Sequence, residues 1–176
     1  MKQLNAILEQ ATAKVGQMYF HLHIEGGDAP IFRERVYCYE LYHQMRLLWP
    51  KTTKYFLNGE VDKAAHPILR QLDADNAKPD FLVHTPACMA GNYAIIEVKP
   101  ASGLKKGAII KDLKTLIKFV DRVSYQRGIY LIYGDLPNNE VGSKVSEAAS
   151  EAHIEIGKIE FWHHKQVGEK AVEIHL

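Results

Sequence analysis

Leu4, Ile7, Leu8, Ala11 and Val15 recur at three- and four-residue intervals, which puts them on one stripe of an amphipathic helix. Residues 18–25 then alternate partly between apolar and polar before Gly26-Gly27-Asp28, a pattern that predicts a strand followed by a turn. A second helix is expected over residues 33–49, stopped by Pro50. Residues 55–61 read as a short strand broken by Gly59, and residues 62–78 as a polar loop with a short helical stretch, interrupted by Pro67. Residues 79–84 form a strand whose proline stands at its start, where a missing N–H is tolerated. Residues 93–99 open on an apolar run, the pattern of a central strand covered on both faces.

Beyond Pro100 the period returns to that of a helix over residues 106–123, with Ile109, Leu113, Leu116, Ile117 and Val120 as its buried stripe. Residues 129–133 read as a buried strand and residues 140–152 as a helix. Residues 158–164 and 171–175 flank a turn at Gly168 and read as a hairpin. Between residues 33 and 133 the order is helix, three strands, helix, strand, so the expected class is α/β, a sheet covered by helices. No repeat and no Ser/Gly linker divides the chain, which reads as a single domain over residues 1–176.

Composition narrows the classes of partner. At 176 residues and 47% hydrophobic, the chain can bury its own core. No run approaches the roughly 20 apolar residues that cross a bilayer. The N-terminal segment lacks the apolar centre of a signal peptide, so a cytoplasmic location without a membrane partner is expected. A net charge of +1 means that affinity for a polyanion must come from a local patch. Cys38 and Cys88 are too few for a disulfide framework and form no CxxC, and both are expected as small buried hydrophobes.

Candidate chemistry gathers on two consecutive strands. Asp80 begins one; Glu97 and Lys99 stand two apart on the next, so they share a face with Ile95 while Val98 points away. Charges on so apolar a strand are costly unless a metal or a partner satisfies them. The plain alternative is a Glu97–Lys99 salt bridge at a solvated strand end. Phosphodiester hydrolysis suits these residues: a hard cation holds the phosphate and activates water. Mg²⁺ needs only one or two carboxylates, and a lysine can orient water or offset charge on phosphorus.

Pro79-Asp80, a spacer, then Glu97-Val98-Lys99 resembles the signature of the PD-(D/E)XK nuclease superfamily. The resemblance implies a restriction-endonuclease-like αβββαβ core, a mixed sheet flanked by helices, here with an added N-terminal helix and strand and a C-terminal hairpin. It implies that Asp80, Glu97 and the Val98 backbone carbonyl bind Mg²⁺ or Mn²⁺ and that Lys99 is catalytic. Many members add a glutamate from the helix before the sheet, a place that Glu40 can take as a further catalytic and metal-binding residue. Glu60, near Asp62 in Gly59-Glu60-Val61-Asp62, is a candidate additional ligand, with a solvated turn as the alternative.

Around this motif stand weaker candidates. Lys111, Lys114, Lys118 and Arg122 recur on one face of the following helix, with Lys105 and Lys106 at its start, a row suited to a nucleic-acid backbone, with a solvated basic face as the alternative; DNA is the partner expected of the nuclease reading. On the earlier helix Val36, Glu40, His43 and Leu47 are expected on one face, with Arg33, Arg35 and Arg46 as phosphate contacts. His21 and His23, and the pair His163-His164, lack the further ligands of a zinc site and read as surface histidines. The expectation is therefore a Mg²⁺-dependent nuclease, with a homodimer compatible with one cut per site; the alternative is a non-catalytic nucleic-acid-binding or assembly module of the same fold.

Overall fold

A computed structural model describes residues 3–60 and 78–176. Of the loop expected over residues 62–78, all but residue 78 lies outside the described residues, as does Val61 at the end of the strand expected over 55–61. Within them one sheet of six strands runs in sequence order: β1 (Phe56–Gly59), β2 (Phe81–His84), β3 (Asn92–Pro100), β4 (Arg127–Tyr133), β5 (Ile159–His164) and β6 (Val172–Ile174). β1, β2 and β3 pair antiparallel, β3, β4 and β5 parallel, and β5 and β6 antiparallel. The sheet is thus mixed, and the chain is α/β.

Parallel neighbours need a crossover, and a helix supplies each one. α4 (Lys106–Arg122) links β3 to β4, and α5 (Asn138–Glu151) links β4 to β5. Ile109, Leu113, Leu116 and Phe119 of α4 pack with Val141, Val145 and Ala148 of α5 over Ile95, Tyr130 and Ile132. The opposite face carries α1 (Leu4–Thr12) and α3 (Glu34–Leu47), whose Leu4, Leu8, Tyr37, Leu41 and Met45 cover Ala94, Ile96, Val98 and Leu131. β3 is apolar on both sides because it is covered on both sides, as its sequence pattern required. At Gly128 a Cβ would stand 2.7 Å from Ile159 Cδ1 and 3.1 Å from Val120 Cγ2, so glycine is what lets α4 and β5 approach β4 this closely.

The helix–strand–strand–strand–helix–strand order expected over residues 33–133 is the order observed from α3 to β4, and the C-terminal hairpin turns at Gly168 with φ +80°. Other expectations need correction. Residues 18–25 do not form a strand: a short helix, α2 (Gln17–Phe20), is followed only by a Leu22–Ile31 bridge. Only Phe20 of that helix is buried, so the apparent alternation had no sheet face behind it. His163 and His164 are buried rather than at the surface, because β5 is covered on both sides near its end. Cys88 is exposed, in contrast to Cys38. On α4, Phe119 takes the buried place expected of Ile117 and Val120, which are half-buried. Among the described residues, no helix is long and apolar enough to cross a membrane.

Candidate functional site

The site forms where the β2–β3 ladder ends. Phe81 pairs with Ile96, so Asp80 lies beside Glu97, and one step further the register would face Val98 with Pro79. Proline has no N–H to donate, and the ladder cannot continue. The Val98 N–H instead donates to the Asp80 carboxylate at 2.7 Å. In an extended strand the N–H and C=O of one residue point to the same edge, so the Val98 carbonyl also faces the Asp80 side. The Asp80 main chain is fixed from β1, where the Glu60 N–H donates to its carbonyl at 3.0 Å.

Glu97 is only 9% exposed. It is not the partner of Lys99. The Lys99 ammonium donates to Glu34 at 2.7 Å, from the first turn of α3, and stands 3.3 Å from Asp112 of α4. Asp112 also accepts the Tyr130 hydroxyl at 3.1 Å. Helices from both faces of the sheet thereby reach one lysine at the end of the central strand.

Burial dominates the electrostatics. It pushes the Asp80 carboxyl up to about 7; the Val98 N–H opposes the rise, and the Glu34 charge adds to it. Burial raises Glu97 strongly, reinforced by the charges of Asp80 and Asp112. Asp112 is also raised by burial, against the attraction of Lys99. Burial would lower Lys99, but its hydrogen bond to Glu34 and the charge of Asp112 outweigh it, and the ammonium is held protonated. Four carboxylates thus share one ammonium, an excess of negative charge that protons or a cation must offset.

Asp80, Glu97 and the Val98 carbonyl are the groups suited to a divalent cation, which as Mg²⁺ would keep several waters and need few protein oxygens. The all-oxygen donor set and the raised carboxylates fit such an ion. Among the described residues, no three His, Cys, Asp or Glu side chains form a group able to hold a metal by themselves.

Asp80, Glu97 and Lys99 are brought together. Glu40 is not: its carboxylate accepts Gln44 Nε2 at 2.7 Å along α3. The face expected to carry Val36, Glu40, His43 and Leu47 is displaced, since α3 buries Tyr37, Cys38, Leu41 and Met45 while Leu47 is 66% exposed. The helix glutamate at the site is Glu34, which precedes Tyr37 and Cys38 by three and four residues and so shares their face. Glu60 is next to Asp80 through its main chain, but its carboxylate is half-exposed and paired with Arg35 at 3.3 Å.

The lysine row also lies outside the cluster. Lys106 pairs with Glu151 at 2.7 Å, and Lys105, Lys111 and Lys114 are exposed. Lys114, Lys118 and Arg122 line a cleft of about 420 Å³ with Lys158, which is paired with Asp121. At a helical rise of 1.5 Å per residue, Arg122 lies roughly 15 Å along α4 from Asp112. Arg33 and Arg46 are exposed on α3.

The residues that the motif did not reveal are Glu34, Asp112 and Tyr130. Asp112 carried a signal: it stands within the stripe Ile109, Leu113, Leu116, and an acid there is rarely buried without a partner. Comparison with family models, with curated proteins and with solved structures yields no match.

Proposed function

We propose that the chain is a metal-dependent phosphodiesterase of the PD-(D/E)XK type that cleaves nucleic acid, with DNA as the favoured substrate. The observation that carries this reading is the pairing of two carboxylates, half-buried Asp80 and buried Glu97, across adjacent strands beside Lys99. The α3–β1–β2–β3–α4–β4 order supports it, since it is the order of the restriction-endonuclease-like core.

Asp80, Glu97 and the Val98 carbonyl would hold Mg²⁺ or Mn²⁺. The bound ion would supply a water of lowered pKa and neutralise the leaving oxygen. Asp80 and Glu97 must ionise to take this part, so the pair gives up its protons as the cation enters. Lys99, kept protonated by Glu34 and Asp112, serves as a fixed positive charge against the phosphate rather than as a base. Tyr130 steadies Asp112 from below and belongs to the positioning of Lys99.

The test is cleavage of single-stranded, duplex, branched and RNA substrates with Mg²⁺ or Mn²⁺, by the protein and by Asp80→Ala and Lys99→Ala. The expected result is metal-dependent cleavage that both substitutions abolish. Absence of cleavage on every substrate, or cleavage that survives both substitutions, overturns the proposal in favour of a non-catalytic binding module.

A further inference from the structure

A second cavity opens beside the charged cluster and shares Asp80 with it. It measures about 350 Å³, at the low end of the roughly 300–1,000 Å³ of small-molecule pockets, and lies between α3, the end of β1 and the start of β2. Its wall is aromatic. Tyr42 and Phe81 stack at 6.3 Å with their planes 17° apart, and the Tyr42 hydroxyl donates to the Leu57 carbonyl at 3.2 Å, which fixes that wall in place. Tyr39, one helical turn before Tyr42 on the same side of α3, also lines the cavity yet is 61% exposed. Gly59 keeps the floor low: a Cβ there would meet the Asp80 carbonyl at 3.5 Å and the Phe81 and Tyr42 rings at 3.7 Å, so a larger side chain is tolerated by the fold but enters the cavity.

The charge of the lining decides the occupant. Its ionisable carboxylates are Glu60 and Asp80, and Glu60 is paired with Arg35. A phosphate placed there would meet like charge. A neutral flat ring bearing amino groups meets aromatic faces for stacking and carboxylates that accept hydrogen bonds, as acidic side chains do from the cytosine amino group. The ring that accompanies a phosphate at Asp80 is its nucleobase. We propose that this cleft takes an unstacked nucleobase adjoining the scissile phosphate, and that the chain therefore acts on unpaired strands. The inference rests on the reading of Asp80 and Glu97 as a phosphodiester-cleaving site. A base inside a duplex must be extruded before it can enter such a cleft, at a cost that an unpaired strand avoids.

Binding can be measured apart from cleavage. A fluorescent single-stranded oligonucleotide containing 2-aminopurine, and the same sequence as a duplex, are titrated with the protein in Ca²⁺. The variants are Tyr39→Ala, Gly59→Leu and Tyr39→Trp, each first checked for an unchanged melting temperature. The inference expects preference for the single strand and a change of 2-aminopurine emission on binding. Tyr39→Ala and Gly59→Leu should each weaken single-strand binding by about tenfold with little effect on the duplex, and Tyr39→Trp, which keeps a stacking face, should retain it. Equal binding of the two forms, or folded Tyr39→Ala and Gly59→Leu variants that bind as the unaltered protein does, overturns the inference. Metal-dependent cleavage together with that failure leaves the nuclease reading standing without the cleft. Cleft-dependent single-strand binding without any cleavage supports the base site and overturns the nuclease reading.

Discussion

The ends of two strands in the same parallel run, β3 and β5, bury polar groups in opposite ways. At the end of β5 both residues of the His163-His164 pair are buried. His163 Nδ1 lies 2.6 Å from Asn138 Oδ1 and its Nε2 lies 3.0 Å from the Gly134 carbonyl, while His164 Nδ1 lies 2.8 Å from the Tyr37 hydroxyl. Burial lowers both imidazoles, His164 to about 4, so they stand neutral among neutral partners. At the end of β3, Glu34 and Asp112 contact the single ammonium of Lys99, and Asp80 and Glu97 lie near enough to feel its charge. The first group carries no charge that needs a counter-ion, although His164 Nε2 has no hydrogen-bond partner among the described residues. The second is short of positive charge and acquires it only from protons or from a ligand. Burial of polar groups alone therefore does not mark a site; burial with unbalanced charge does.

The sharpest way to break this contrast is to remove one group from each end. Lys99→Met should abolish most cleavage, a loss of about a hundredfold or more, as for other fixed charges aimed at a transition state. It should also destabilise the fold by about 3–5 kcal/mol, because carboxylates buried around the lysine lose their partner. Lys99→Arg should recover most of the stability. His164→Gln should cost about 1–3 kcal/mol through the Tyr37 hydroxyl left unpaired, and should leave cleavage within a few-fold. Cleavage assays and denaturant titrations check both. Loss of cleavage in a well-folded His164→Gln protein would break the assignment of β5 to structure.

The two ends also titrate in opposite senses. Asp80 has its folded value raised to about 7, so between about pH 4 and 7 the folded state holds a proton that the unfolded state has lost, and stability falls as pH rises. His164 has its folded value lowered to about 4, so between about pH 4 and 6.5 the unfolded state holds the extra proton, and stability rises with pH. At about 1.4 kcal/mol per unit each effect amounts to a few kcal/mol, and the two oppose each other in the native chain. Glu97, Asp112 and His163 also titrate with shifted values. Between pH 4 and 8 the melting temperature should therefore fall less with rising pH in Asp80→Asn than in the unaltered protein, and fall more in His164→Gln. Mg²⁺ should stabilise the unaltered protein more at pH 8 than at pH 5. An equal effect at both values would count against ionised Asp80 and Glu97 as its ligands.

How much of this was legible beforehand follows from what each residue does locally. The β3 site was legible because Asp80, Glu97 and Lys99 interrupt apolar strands, and strand parity puts Glu97 and Lys99 on one face. Glu34 was hidden because the face of α3 was set by Val36 and Leu47, whereas Tyr37, Leu41 and Met45 are the residues the sheet covers. Aromatic residues that serve as core there are indistinguishable by composition from those at a surface. Asp112 was readable as an acid in an apolar stripe, but its partners come from β3 and β4, which no local period connects. The histidines of β5 were misread because two consecutive polar residues suggest an exposed edge. Their burial depends on packing that sequence spacing does not describe: the rings of Phe20 and Tyr37 lie 4.9 and 5.8 Å from that of His164.

The smallest effect separates two glutamates of one helix. Glu34 accepts a hydrogen bond from Lys99, whereas the hydrogen-bond partner of the Glu40 carboxylate among the described residues is Gln44 on its own helix. Glu34→Gln keeps a hydrogen-bond acceptor but removes a charge, and because the Glu34 side chain is partly open to solvent its loss is buffered. Cleavage should fall by about tenfold or less through the rate at saturating substrate, with oligonucleotide affinity nearly unchanged, since Glu34 positions the lysine and touches no substrate. Glu40→Gln should change stability by no more than about 0.5 kcal/mol and leave cleavage as it was. The pair is informative because a glutamate anywhere on the helix before the sheet satisfies the sequence pattern, while only the one that shares the buried face with Tyr37 and Cys38 can reach the end of β3. A larger loss in Glu40→Gln than in Glu34→Gln would mean that α3 presents its other side to the site, and the charge imbalance at β3 would then have to be counted without Glu34.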